Sequence, residues 1–275
     1  MNSSAKRSRA IVASAILLSA LAAVLRILCL LFFYDKSIGY YSSGAALPIF
    51  STAFFALCSI ACVILPLILF KNQTFEIPFS TSAAYTAVLP SIMLTYQILT
   101  LLLVRTEELE AYSVLTLIFA IVSVAFFMSL IFSKQPSSVT LWCGIGFIIW
   151  LALSWIRSYS DFFVPMNSPD KLFSHLAYVG AALLVVGELR SLYGIAKAKI
   201  YLCYISLSIL TLSSYAIPSL VGKLCGAYAD NSFTAEELVF LALTVYATVR
   251  AVLLLVPSRS APTDEENSEP CDVQE

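Results

Sequence analysis

The sequence predicts an all-α fold: a polytopic integral membrane bundle of eight transmembrane helices. Three observations carry that expectation. Eight apolar runs follow one another with short polar stretches between them, and about 20 apolar residues suffice to cross the roughly 30 Å hydrocarbon core of a bilayer. Hydrophobic residues make up 60 % of the chain and mean hydropathy is +0.89, against about 45–50 % apolar residues in soluble domains. Charged residues fall to 12 %, about half the soluble norm. Within 275 residues the runs leave no room for a separate soluble domain.

The first run, 10–33, follows a basic start at 1–9 that holds Lys6, Arg7 and Arg9. With Ser19-Ala20-Leu21-Ala22-Ala23 it has the look of a signal peptide. Its apolar stretch nevertheless continues to Phe33, well past an h-region of about 7–15 residues, so it reads as an uncleaved anchor helix. The second and third runs, 46–70 and 83–104, enclose Pro66 and Pro90. Both prolines predict kinks, tolerated in a membrane where neighbouring groups re-satisfy the backbone. The fourth and fifth runs, 112–133 and 139–157, contain no proline.

Ser168-Pro169-Asp170 precedes the sixth run, 171–190, and supplies an N-cap, a proline at the first helical position and an acid in the first turn. The seventh run is 199–221. Before the eighth, 235–256, Thr234-Ala235-Glu236-Glu237 has capping-box spacing. The stretch 257–275 carries Asp264, Glu265, Glu266, Glu269, Asp272 and Glu275 with hardly any apolar residue, which predicts a disordered acidic tail. An offset of 128 residues aligns Lys71 with Lys199 and Pro90 with Pro218, but the two prolines lie at different depths, which argues against a four-plus-four duplication.

Orientation follows from lysine and arginine in the flanking segments. With the N-terminus inside, Lys6, Arg7, Arg9, Lys71, Lys134, Arg190, Lys197, Lys199 and Arg259 face the cytoplasm, and Lys36, Arg105, Arg157, Lys171 and Lys223 face out. Nine against five predicts a cytoplasmic N-terminus. An even number of helices then returns the C-terminal tail to the cytoplasm, in a protein of the cell (plasma) membrane.

Ionisable residues inside a membrane are functional candidates by default. The candidates are Arg26 in the first run, Glu188 and Arg190 late in the sixth, and Arg250 in the eighth. Glu188 and Arg250 lie about 24–27 Å below the outer ends of two helices that run the same way, so an ion pair between them is expected, as an inter-helix brace. A second pattern gathers at the outer surface, where Arg26, Arg105 and Arg157 end helices one, three and five, with Asp35, Asp161 and Asp170 nearby. One reading is a polar vestibule for a small charged ligand, formed by Arg26, Asp35, Arg105, Arg157 and Asp161. The alternative is dipole complementarity, arginines closing helix C-termini and acids opening N-termini, within an interfacial belt of tyrosines. Tyr96 and Gln97 are the polar residues at mid-membrane depth, expected to bond across to a neighbouring helix.

Several chemistries lack their residues. A single histidine, His175, excludes H-E-x-x-H zinc chemistry and paired-histidine metal or haem ligation. Neither a G-x-S-x-G elbow nor a P-loop occurs. No metal site, no cofactor and no catalytic residue is assigned. Five of the seven cysteines, Cys29, Cys58, Cys62, Cys143 and Cys203, lie in apolar runs and read as small hydrophobes. Beyond Lys6, Arg7 and Arg9 no basic stripe exists for nucleic acid.

Tyr34-Asp35-Lys36-Ser37-Ile38-Gly39-Tyr40-Tyr41, and Met166-Asn167-Ser168-Pro169-Asp170-Lys171 leading to Gly187-Glu188-Leu189-Arg190, resemble segments of uncharacterised multi-pass membrane proteins of anaerobic Firmicutes. That family has no assigned reaction, so the resemblance implies a bacterial plasma membrane and nothing finer. The residues themselves favour a non-enzymatic protein, either a small-solute permease or a membrane-embedded accessory or sensory component. Its partners would be the lipid bilayer and a small polar solute or another membrane protein. Two alternatives stand beside it: an intramembrane enzyme using the outer carboxylates Asp35, Asp161 and Asp170, or a structural partner of another membrane protein.

Overall fold

In lipid every backbone N–H and C=O must find its partner within the protein, and an uninterrupted apolar segment does so by coiling into a helix. The computed structural model describes residues 3–69, 81–104, 111–132, 137–160, 168–228 and 230–255. Arg105, Asp161 and the acidic tail from Pro257 lie outside the described residues. The helices are α1 (Ser3–Phe33), α2 (Ala46–Leu69), α3 (Thr81–Thr86), α4 (Val88–Val104), α5 (Ala111–Phe132), α6 (Ser138–Ser160), α7 (Pro169–Leu192), α8 (Ala198–Leu224) and α9 (Ala235–Leu255). Eight spans among the described residues are long and apolar enough to cross a membrane, with α3 and α4 sharing one of them. The chain is a multi-pass membrane protein.

Proline explains the break in that shared span. Pro90 has no N–H, and its ring clashes with the carbonyl four residues back, that of Thr86. The helix stops at Thr86, turns at Ala87 and restarts at Val88. Pro66 is accommodated inside α2 and Pro218 inside α8, neither of which is interrupted. Pro218 leaves the Ser214 carbonyl without its helical donor, and Arg26 Nη1 on α1 takes that carbonyl at 2.9 Å.

Cross-links between helix ends fix their alternation. At the end of the bundle opposite the N-terminus, called here the distal end, the distal parts of α1 and α6 meet the first turns of α7 and α5. Arg26 reaches Asp170 there, and the Tyr112 hydroxyl donates to the Leu153 carbonyl. At the proximal end, Tyr193 after α7 donates to the Ser137 carbonyl before α6 at 2.8 Å. The helix starts read from sequence carry the expected caps. Ser168 Oγ accepts from the Lys171 N–H at 3.2 Å, and Thr234 and Glu237 exchange bonds of 3.0 and 3.3 Å.

Helix α8 is the most enclosed span and α9 packs against it, with α1, α2 and α7 also lying on α8 and α4 on α9. Helices α4, α5, α6 and α7 continue in sequence around the bundle. Small residues let α7 and α8 approach closely, as expected where lipid gives no hydrophobic drive to helix association. Ser208 Oγ bonds the Gly180 carbonyl at 2.8 Å, and a Cβ built on Gly180 would lie 1.9 Å from Thr211 Oγ1.

One local feature has no counterpart in the run pattern. After α1 the chain forms a two-rung hairpin, β1 (Tyr34–Asp35) with β2 (Tyr40–Tyr41), in which Tyr34 pairs with Tyr41 and Asp35 with Tyr40. Gly39 closes it at φ +73°, a left-handed conformation that favours glycine.

Candidate functional site

The inward faces of α4, α6 and α9 advance in steps of three and four residues, so that polar residues near the distal end are followed by apolar ones deeper down. On α6 the series is Arg157, Ser154, Trp150, Phe147; on α9 it is Glu236, Phe240, Leu243, Tyr246, Arg250. Three layers result, taken from the distal end inward.

The outermost layer is a cavity of about 1040 Å³ between α4, α5, α6 and the start of α9. Gln97 and Thr100 line it from α4, Tyr112 and Thr116 from α5, Ser154 and Arg157 from α6, and Glu236 from α9. Glu236 Oε2 accepts from the Tyr178 hydroxyl at 2.7 Å. Arg157 is exposed and makes no ion pair or hydrogen bond through its guanidinium among the described residues. Deeper in, Gln97 is 4 % exposed and Ser154 1 %, yet Gln97 Oε1 and Ser154 Oγ have no hydrogen-bond partner. An unpaired buried polar group costs about 1–3 kcal/mol, and a cavity of this size admits the water or polar solute that satisfies these two.

Beneath lies an aromatic layer. Phe147 stacks on Trp150 at 5.5 Å, Phe127 meets Phe147 edge-on at 5.2 Å, and Tyr246 meets Phe127 edge-on at 6.0 Å. All four rings are buried. The Trp150 Nε1–H lacks a partner, so an unpaired polar atom continues from the cavity floor into this layer, while the Tyr246 hydroxyl faces the Glu188 carboxylate below it.

Nearest the proximal end, Arg250 Nε and Nη2 donate to Glu188 Oε1 and Oε2 at 2.8 and 2.9 Å. The Tyr201 hydroxyl adds a bond of 2.9 Å to Oε1. Both charged side chains are almost wholly buried, and the bidentate fork is the strong geometry for such a pair.

Of the residues expected to share one vestibule, the three that are described, Arg26, Asp35 and Arg157, are separated. Arg26 is 1 % exposed: Nη2 holds Asp170 Oδ1 at 2.7 Å, Nη1 holds the Ser214 carbonyl, and its Cζ lies 3.8 Å from the centre of the Phe173 ring. It therefore closes α1 onto α7 and α8 and faces no vestibule. Tyr228 donates to the same Asp170 oxygen at 3.1 Å, and Tyr34 packs edge-on against Tyr228 at 5.5 Å. Burial and the Asp170 charge push the Tyr34 and Tyr228 hydroxyls well up, and burial pushes Tyr41 up to about 12. Asp35 is exposed on the hairpin, where the Ser37 hydroxyl and N–H hold its carboxyl below the usual range. Of the five, Arg157 alone lines the large cavity among the described residues.

A smaller cavity of about 430 Å³ sits between the end of α1, the hairpin and the turn after α8, and Arg26 does not line it. His175 lies 6.1 Å from the rings of both Trp155 and Tyr159, with Nε2 unpartnered. Tyr96 is 45 % exposed on the outside of α4, away from the cavity that Gln97 enters. Cys58 and Cys62 are buried and free. Among the described residues no three of His, Cys, Asp and Glu come together as metal ligands. Compared with protein-family models, curated proteins and solved structures, the chain matches none.

Proposed function

We propose that this protein is a small-solute permease of a cell membrane, held here with its solute cavity open at the distal end. The observation that carries the reading is the column of unpaired buried polar atoms, Gln97 Oε1, Ser154 Oγ and Trp150 Nε1. It leads from an open polar cavity into the closed part of the bundle. A water-free structural bundle gains nothing from such atoms, and buried polar groups are otherwise almost always paired. A path that a polar solute crosses needs them, because they replace its hydration as it moves.

The charges along the chain support an orientation with both termini in the cytoplasm and the cavity facing out. Two of the three carboxylates on which an enzyme reading rests are engaged away from the large cavity: Asp35 is on the hairpin and Asp170 is held by Arg26, while Asp161 lies outside the described residues. The test is osmotic swelling of proteoliposomes in amino acids, carboxylates, amines, polyols and urea, each against protein-free liposomes. Faster swelling in at least one class supports the permease. Rates equal to empty liposomes in every class would overturn it.

A further inference from the structure

Two opposite charges face the distal cavity without neutralising each other. Arg157 belongs to α6 and Glu236 to α9, and the Arg157 charge acts on the Glu236 carboxylate, yet no ion pair joins them. Glu236 spends one oxygen on Tyr178, a neutral donor, and makes no ion pair, which leaves acceptor positions free. Cavities with low-dielectric walls focus such fields.

From this geometry we infer that the cavity takes a zwitterion, a molecule with one ammonium and one carboxylate or phosphate group, an inference that rests on the solute reading above. The anionic group meets the planar donor fork of Arg157, which suits a two-oxygen acceptor. The ammonium meets Glu236, and the polar body reaches Gln97 and Ser154 on the floor. A simple anion would be repelled by Glu236 and a simple cation by Arg157. A neutral polyol would satisfy the floor and engage neither charge. At about 1040 Å³ the cavity is at the upper end of ordinary ligand pockets. It has room for an amino acid with a substantial side chain, or for the ethanolamine phosphate headgroup of a lipid.

The experiment measures binding of a uniformly ¹⁴C-labelled amino-acid mixture to the full chain in phosphatidylglycerol nanodiscs, by scintillation proximity. Expected is saturable binding, reduced tenfold or more in both Arg157→Gln and Glu236→Gln. Unlabelled acetate with methylammonium should fail to compete. A melting curve in the same nanodiscs checks each variant. Should Glu236→Gln unfold, Arg157→Gln carries the test alone, since Arg157 has no partner among the described residues.

Repeating the measurement in phosphatidylethanolamine nanodiscs separates the two sources. Unchanged binding assigns a free zwitterion, and suppressed binding assigns the headgroup. Binding that survives both substitutions, or that acetate alone displaces, would overturn the zwitterion and leave a solute cavity standing. If the labelled mixture fails to bind while swelling is fast in polyols or carboxylates, the zwitterion again falls and the permease remains.

Discussion

Arg250 holds Glu188 through two parallel N–H···O bonds of 2.8 and 2.9 Å, tying the proximal ends of α9 and α7 together inside the bundle. Tyr201 at the start of α8 adds a third bond, so three helices meet at one carboxylate. Removing either charge takes from the other, still buried, its charged partner in this pair, which costs about 3–5 kcal/mol. Glu188→Gln and Arg250→Gln are each expected to destabilise by that amount, and the double variant by less than the sum. A double-mutant cycle on melting in detergent reads the coupling directly. Additive effects would mean that the pair contributes nothing to holding these ends together.

Close approach of α7 to α8 depends on Gly180. A Cβ there would sit 1.9 Å from Thr211 Oγ1 and 3.1 Å from its Cβ. Gly180→Ala is expected to cost about 1–3 kcal/mol, the usual range for overpacking. Adding Thr211→Ala removes the nearer atom and should restore most of the loss. Equal melting temperatures for Gly180→Ala and the unaltered protein would show that the helices part without cost.

Alkaline pH should weaken the distal end. Tyr41 has its hydroxyl pushed up to about 12 by burial, whereas a tyrosine in an unfolded chain titrates near 10. The folded state thus retains protons that the unfolded state releases. The contribution to stability is full below about pH 10 and is lost as pH rises through about 12. Melting temperature should be flat from about pH 8 to 10 and then fall, with a shallower fall in Tyr41→Phe. Identical alkaline slopes would remove Tyr41 from the explanation.

Orientation is open to a reporter test. Lysine and arginine favour cytoplasmic termini, so a reporter active only in the cytoplasm should work after Glu275 and fail in the turn at Gly226. The reverse pattern would turn the protein over and point the cavity at the cytoplasm.

Run length made the eight spans legible, because a bilayer imposes a length that any sequence window can match. What the runs do not encode is rotation about each helix axis. Arg26 near the end of its run has the sequence signature of a surface cation, and only its neighbours on α7 and α8 bury it. One hint existed: Pro218 strands the Ser214 carbonyl, and a stranded carbonyl within a membrane needs a donor. Equal depth was the sequence signal for Glu188 and Arg250, and depth does not say whether two residues face each other. Ser154 carried no signal, since serines are common along these helices. Glu236 read as a helix opener, which it also is. The break at Ala87 displaces by three residues the kink expected at Pro90, because the clash falls on the preceding turn.

Water access to the distal cavity tests the central claim most directly. Thr100 lines the cavity, while Leu99, its neighbour at the same depth, is 50 % exposed on the outer surface of α4. In a background with Cys225 and Cys271 changed to serine, Thr100→Cys and Leu99→Cys should be treated with a charged methanethiosulfonate reagent in lipid vesicles. The reagent attacks only a thiolate, which needs water. The expected result is rapid modification of the cysteine at position 100 and none at position 99. Two equally unreactive cysteines would contradict the cavity, and with it the reading of this protein as a solute permease.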